Sequence, residues 1–161
     1  MAESLLIPDT IDRKMLYDEI VPKIESLVSC ETDLIANLAN VAAVLKEAFG
    51  FFWMGFYLVK EGELVLGPFQ GPLACTRIKF DQGVCGHAYT TRETVMVPDV
   101  DEFPGHIACA SASRSEIVVP IFDRSGEVIG VLDVDSDKLD DFSAVDAEAL
   151  GRVVKILGRT T

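Results

Sequence analysis

Two strongly apolar segments separated by a few polar residues constrain the fold of this chain more than any other feature. Residues 116–122 and 127–134 are rich in β-branched side chains, and Asp123-Arg124-Ser125-Gly126 lies between them as a turn. Because so short a connection joins antiparallel neighbours, the two segments predict adjacent strands of an antiparallel sheet.

Helical spacing of apolar residues predicts helices on either side of the strands. Residues 12–28 form the first, with Pro22 as a kink or break, and Thr32 is expected to cap a second helix. Residues 142–157 form the last, with Ser143 as its N-cap. The remaining β-rich segments are 51–59, 64–69, 76–80 and 94–97.

This order of elements predicts an α+β fold with a central, mainly antiparallel sheet flanked by helices. The 161 residues suffice for one hydrophobic core, so we expect a single domain over 1–161. Its parts are a helical segment at 12–49, the sheet and a pocket at 51–137, and a C-terminal helix at 142–158.

The formal net charge of -12 limits the classes of partner. An acidic surface repels phosphate backbones and anionic headgroups, so we expect neither nucleic acid nor membrane as partners. The longest apolar run, 117–122, is too short to span a bilayer, and residues 1–14 lack a secretory pattern. A cytoplasmic location and reduced cysteines follow as expectations.

Cys109 is the first candidate for a reactive thiol. Its neighbours are small, so a ligand can approach the sulfur, and His106 is near enough in sequence to favour the thiolate. The alternative is a small buried hydrophobic residue, which is the commoner fate of a free cysteine. Cys85, between Gly83 and Gly86, is open to the same two interpretations.

Cys75 also lies in a turn-like region, whereas Cys30 lies between two helices and is assigned no role. Zinc is the competing explanation for the cysteines, since Cys85 and Cys109 each have a histidine nearby. No Cys-x-x-Cys pair is present and neither spacing matches a common zinc module, so we predict no metal and no other cofactor.

Acidic residues interrupt two otherwise apolar strands. Alternation along 127–135 places Asp133 and Asp135 on one face, and Glu116 begins the neighbouring strand. Such carboxylates can bind the ammonium group of an amino acid, and a crowded, buried one can stay protonated and donate a proton. The alternative is a solvated strand end.

These stretches together resemble one family closely, the free methionine-(R)-sulfoxide reductases built on a single GAF domain. Cys75 stands ten positions before Cys85, which stands twenty-four before Cys109, and both intervals agree with the family pattern. A cysteine at position 30 departs from it. The matching stretches are 31–40, 53–57, 66–71, 83–86, 106–111 and 131–136.

The resemblance implies a closed pocket and a role for each site residue. It implies nucleophilic attack by Cys109 on free methionine sulfoxide, and disulfide formation with Cys85 or Cys75 as the resolving thiol. It implies substrate recognition by Trp53, Glu116, Asp133 and Asp135. Thioredoxin is the implied reductant, and a homodimer is the implied assembly.

A binding module without chemistry is the alternative function, because GAF domains also act as small-molecule sensors. Trp53 and the two cysteines before Cys109 can equally be packing residues. The predicted acidic pocket argues against a phosphate-containing ligand, so the sequence favours the reductase.

Overall fold

The computed structural model describes residues 12–107 and 112–161. Four α-helices and six strands account for most of these residues. The helices are α1 (Arg13–Val28), α2 (Leu34–Phe49), α3 (Gly83–Thr91) and α4 (Ala144–Gly158), with a short 3-10 helix at Val100–Glu102. The strands are β1 (Trp53–Lys60), β2 (Glu63–Gln70), β3 (Arg77–Ile78), β4 (Val95–Val97), β5 (Ser115–Phe122) and β6 (Val128–Ser136).

The six strands form one sheet in the order β3-β2-β1-β6-β5-β4. Every paired neighbour is antiparallel, including the predicted hairpin of β5 and β6. The α+β fold with an antiparallel sheet is therefore confirmed. β1 and β6 lie at its centre, so residues on them are surrounded by other strands on both sides.

Local signals place most helix ends, with two corrections. Asp33, and not Thr32, caps α2, because its side chain accepts a hydrogen bond from the Ala36 backbone N–H. Pro22 lies inside a continuous α1. Ser143 caps α4 as predicted, in a reciprocal capping box with Asp146.

Both faces of the sheet are buried, each under a different layer. Met54, Phe56 and Leu58 of β1 pack with α1, α2 and α4 in one apolar cluster. Trp53 and Tyr57 of the same strand belong to a second cluster with α3 on the opposite face. The alternation of β1 therefore divides its side chains between a helix-covered face and an α3-covered face.

The same alternation holds along β6 from Gly130 onward. Leu132 and Val134 join the helix-covered cluster, whereas Val131 faces α3. Simple alternation along β6 would place Ile129 on the same face as Val131, but a register shift in the β5–β6 pairing turns it towards the helices. None of the helices in the described residues is both long and apolar enough to cross a bilayer.

Candidate active site

Strand register brings three carboxyl groups together on the α3-covered face. Asp135 of β6 pairs with Trp53 of β1 on one side and with Glu116 of β5 on the other. Asp133, two residues earlier on β6, pairs with Gly55 and Val118. Since side chains two residues apart share a face, all three acids point into one pocket.

The indole of Trp53 forms one wall of this pocket, and two glycines make room for it. A Cβ at Gly55 would lie 2.6 Å from the Trp53 ring and 2.4 Å from the Phe69 Cβ. A Cβ at Gly71 would also lie 2.6 Å from the Trp53 ring. The ring stacks on Phe69 with 5.5 Å between centroids, and Nε1 donates to the Pro72 carbonyl at 3.0 Å. Trp53 is therefore held in one orientation.

Tyr57 connects the pocket floor to the loop that carries Cys75. Its hydroxyl donates a hydrogen bond of 3.0 Å to the Cys75 carbonyl oxygen. Burial raises the pKa of Tyr57, so the phenol stays neutral and keeps its proton for this bond. Ala74 lines the pocket, and Cys75, which is half-buried and disulfide-bonded, follows it.

Cys85 enters the pocket from the first turn of α3. A Cβ at Gly86 would lie 2.6 Å from the Lys79 carbonyl oxygen, so the glycine permits close packing of α3 on the preceding loop. Cys85 is a free thiol and only 3% exposed. Cys30 is also free, but it is exposed.

Cys85, Glu116 and Asp133 form a compact group. One ligand atom from each, Sγ or a carboxylate oxygen, lies within 4.8 Å of the other two. His106 adds a nitrogen, with Nε2 3.8 Å from Glu116 Oε2. Asp133 is 7% exposed, and its Oδ1 has no hydrogen-bond partner among the residues that the structure describes. This oxygen could therefore accept a hydrogen bond from a ligand or bind a cation.

Burial raises the pKa of all three acids in the pocket. Burial is the main cause for Glu116 and Asp133, and the neighbouring carboxylates add to it. Burial raises the pKa of Asp135 to about 6. The pKa of the Cys85 thiol is also raised, by burial and then by Asp133 and Glu116. The protonated forms of Glu116 and Asp133 are therefore favoured relative to those of ordinary carboxyl groups.

Most of the predicted site residues meet in this pocket. Trp53, Cys85, Glu116, Asp133 and Asp135 all line it, and Cys75 lies on its rim. Cys109 lies outside the residues that the structure describes, so its predicted role stays a prediction.

Two findings differ from the sequence analysis. Tyr57 makes a contact that was not predicted, and His106 does not have the charge that was expected of it. The hydrogen bond from Tyr57 to the Cys75 loop was missed, although the spacing of Trp53, Gly55 and Tyr57 already places them on one face. His106 was expected to favour a thiolate by its charge. Burial lowers the pKa of His106, so the neutral imidazole predominates at neutral pH.

An antiparallel sheet with a helix layer on one face and a closed, polar pocket on the other defines a GAF domain. Residues 31–160 match the GAF domain family. The chain is 55% identical to GAF domain-containing protein A of Dictyostelium discoideum, over 98% of this chain and 99% of that protein.

Two further relatives carry a more specific name. The free methionine-R-sulfoxide reductase of Escherichia coli is 40% identical over 93% of each chain. The X-ray structure of the Neisseria meningitidis enzyme of that name, in complex with its substrate, is 58% identical. It superposes with a TM-score of 0.94, covering 98% of this chain and 94% of that one. The chain belongs to the GAF domain family and, within it, to the free methionine-R-sulfoxide reductases.

Proposed function

We propose that this chain reduces free methionine-(R)-sulfoxide to methionine by thiol chemistry. The observation that carries the proposal is one buried pocket that combines an aromatic wall, a cysteine thiol and three carboxyl groups with raised pKa values. The similarity to proteins named free methionine-R-sulfoxide reductase supports the same reaction.

Substrate binding is divided between Trp53 and Asp135. The fixed indole packs against the methyl group of the sulfoxide, as its stacked and hydrogen-bonded position supports. Asp135, with a pKa of about 6, is mostly ionised above neutral pH and pairs with the substrate ammonium. A methionine sulfoxide within a peptide lacks that ammonium, which gives a physical reason for selecting the free amino acid.

Glu116 and Asp133 supply the proton that the sulfoxide oxygen needs in order to leave. Burial raises the pKa of both groups well above the ordinary value for a carboxyl group, and the charge of Asp135 adds to the shift, which favours a proton held by the pair. A neutral acid can donate a hydrogen bond to the sulfoxide oxygen before it transfers the proton.

The proposed reaction passes through a sulfenic acid and then a disulfide. The Cys109 thiolate attacks the sulfoxide sulfur, and the oxygen is protonated and transferred, so methionine leaves and Cys109 becomes a sulfenic acid. A second cysteine thiol displaces water from the sulfenic acid and forms a disulfide. An external dithiol, which we propose is thioredoxin, reduces this disulfide by exchange and is itself oxidised.

Cys75 is the better candidate for the first resolving thiol. It is half-buried on the loop that Tyr57 anchors, and it is already disulfide-bonded. Cys85 is buried among acids that raise its thiol pKa, so little thiolate is available there. In this proposal, Cys85 either reacts in a later step of the cycle or serves mainly as part of the pocket wall. A reducing, cytoplasmic compartment suits this cycle, and the homodimer stays a prediction.

A coupled assay tests the proposal. Purified protein is mixed with thioredoxin, thioredoxin reductase and NADPH, and NADPH oxidation is followed after free methionine-(R)-sulfoxide is added. We expect turnover by the wild type and by Cys30→Ser, whose thiol is exposed and far from the proposed chemistry. Cys109→Ser should abolish turnover.

Two outcomes would contradict the proposal. Retained turnover in Cys109→Ser would remove Cys109 from the nucleophile role. If the wild type bound the sulfoxide but neither consumed NADPH nor, in its reduced form, released one equivalent of methionine, the protein would be a sensor instead.

A further inference from the structure

We propose that the pocket is also a binding site for a thiophilic divalent cation such as Zn²⁺, held by Cys85, Glu116 and Asp133. The proposal rests on the geometry of these side chains and not on any spacing in the sequence. They come from α3, β5 and β6 respectively, and no two of them are close along the chain.

The ligand atoms are already grouped as a metal site requires. Cys85 Sγ and one oxygen each of Glu116 and Asp133 lie within 4.8 Å of one another, and all three residues are buried. Zinc–sulfur bonds of about 2.3 Å and zinc–oxygen bonds of about 2.0–2.2 Å place ligands of one ion at comparable separations. Small side-chain rotations therefore suffice to close the site.

An independent observation shows that one buried oxygen of this group lacks a partner. Asp133 Oδ1 is buried and unpaired within the described parts of the chain, although buried polar atoms are normally satisfied. The described lining residues include three acids but no lysine or arginine. A cation in the pocket would give this oxygen a bond and offset the crowding of the carboxyl groups.

The donor set selects the kind of cation. Mg²⁺ and Ca²⁺ prefer oxygen ligands only, whereas a thiolate with carboxylates, and an imidazole nearby, suits Zn²⁺. His106 Nε2 lies 3.8 Å from Glu116 Oε2 and is a candidate for a fourth ligand.

Coordination changes no oxidation state. Cys85 releases its thiol proton to solvent as the sulfur–metal bond forms, the proton retained by the Glu116 and Asp133 pair is released as well, and the metal takes the place of both protons. If the proposed function is correct, the cation occupies the position of the transferable proton, on the carboxyl groups that would act on the sulfoxide oxygen. Zn²⁺ would then act as a competitive inhibitor that raises the apparent KM for the sulfoxide.

Direct metal binding tests the proposal without any use of the sulfoxide. The full chain, reduced with a non-chelating phosphine, is titrated with Co²⁺ alone while the near-ultraviolet sulfur-to-cobalt charge-transfer band is recorded. Zn²⁺ is then added to displace the cobalt. We expect one equivalent of Co²⁺ to produce the band in the wild type and in Cys30→Ser. The band should disappear in Cys85→Ser, and binding should weaken at least tenfold in Glu116→Gln.

One further variant and a folding control test whether the metal is bound by the proposed ligands. Cys109→Ser should keep the band, because Cys109 is not among the proposed ligands, and circular dichroism checks that each variant is folded. Absence of stoichiometric binding, a band that survives in Cys85→Ser, or a band lost in Cys30→Ser or Cys109→Ser would each overturn the site. Metal binding without any reductase turnover would refute the proposed function and leave the metal site standing.

Discussion

Two buried aspartates, one in the helix layer and one in the pocket, differ in how fully their carboxyl oxygens are paired. Asp146 of α4 is fully buried, yet its carboxylate accepts hydrogen bonds from the Tyr17 hydroxyl at 2.9 Å and the Ser143 backbone N–H at 2.9 Å. It also forms an ion pair with Arg13 at 3.2 Å. Asp133 of β6 is buried almost as deeply, among other acids, with Oδ1 unpaired within the described residues.

The contrast separates an acid that is paired within the fold from one that we propose acts in the reaction. A buried charge that is fully paired fixes the packing of its neighbours. A buried acid whose hydrogen-bonding capacity is unmet costs stability and persists where a ligand or a reaction makes use of it. Substitution of the two residues should therefore affect different measurements.

The largest effect on stability is expected at Asp146. Replacing Asp146 by Ala leaves the buried Tyr17 hydroxyl without its acceptor and Arg13 without one of its carboxylates. We expect the free energy of unfolding to fall by about 3 kcal/mol, with kcat/KM nearly unchanged. Urea denaturation and the coupled assay measure the two quantities.

Asp18 provides the matched control. It pairs with Lys14 and Arg152 on the exposed surface, so Asp18→Ala should change stability little. A comparable loss of stability in both variants would mean that burial of the Asp146 network is unimportant.

The next largest effect is expected on activity at Asp133. Asp133→Asn removes one member of the proton-donating pair, so we expect kcat/KM to fall about 100-fold, equivalent to about 2.7 kcal/mol. Stability should not fall, because a buried unpaired carboxyl is replaced by a neutral amide. The exposed Asp137→Asn on the same chain segment is the control. Full activity in Asp133→Asn would remove Asp133 from the reaction.

A pH-dependent effect of intermediate size is expected at Asp135. Its pKa of about 6 in the folded state lies above the ordinary value of 3.8, so the folded state favours the protonated form. This contribution to stability is complete below pH 3.8 and is lost as the pH rises through 6.

Asp135→Asn removes that dependence. The variant should therefore be more stable than the wild type by up to about 3 kcal/mol at pH 8, and the difference should shrink towards pH 4. Urea denaturation across this pH range measures it. A difference of equal size at both ends of the range would show that Asp135 does not titrate with a raised pKa.

The smallest effect is expected at Tyr57. Tyr57→Phe removes the hydrogen bond to the Cys75 carbonyl, and we expect a loss of about 1 kcal/mol in stability. Stoichiometric release of the first methionine should be unchanged, while steady-state recycling slows a few-fold because the Cys75 loop is less well placed. Tyr89→Phe, a partly buried tyrosine stacked on Phe80, is the control. Slow first release would place Tyr57 in the substrate step instead.

The elements of the fold were largely predictable because their signals are local. The apolar alternation in β5 and β6, the turn between them and the Ser143 cap each depend on residues that are neighbours in the chain. The errors also have local causes. Thr32 and Asp33 are both good N-caps, and only the backbone geometry chooses Asp33. Pro22 can sit within a helix whose tertiary packing compensates for the missing hydrogen bond.

The sequence by itself determined which face of β6 holds Asp133 and Asp135, since alternation along a strand is a property of the backbone. Only the tertiary structure decided that Cys85, Glu116 and Asp133 meet within 4.8 Å. It also decided that Asp133 Oδ1 has no partner within the described residues. These facts depend on the register between strands and on how α3 packs on the sheet, and the free energy of that packing is contributed by residues distant in the chain.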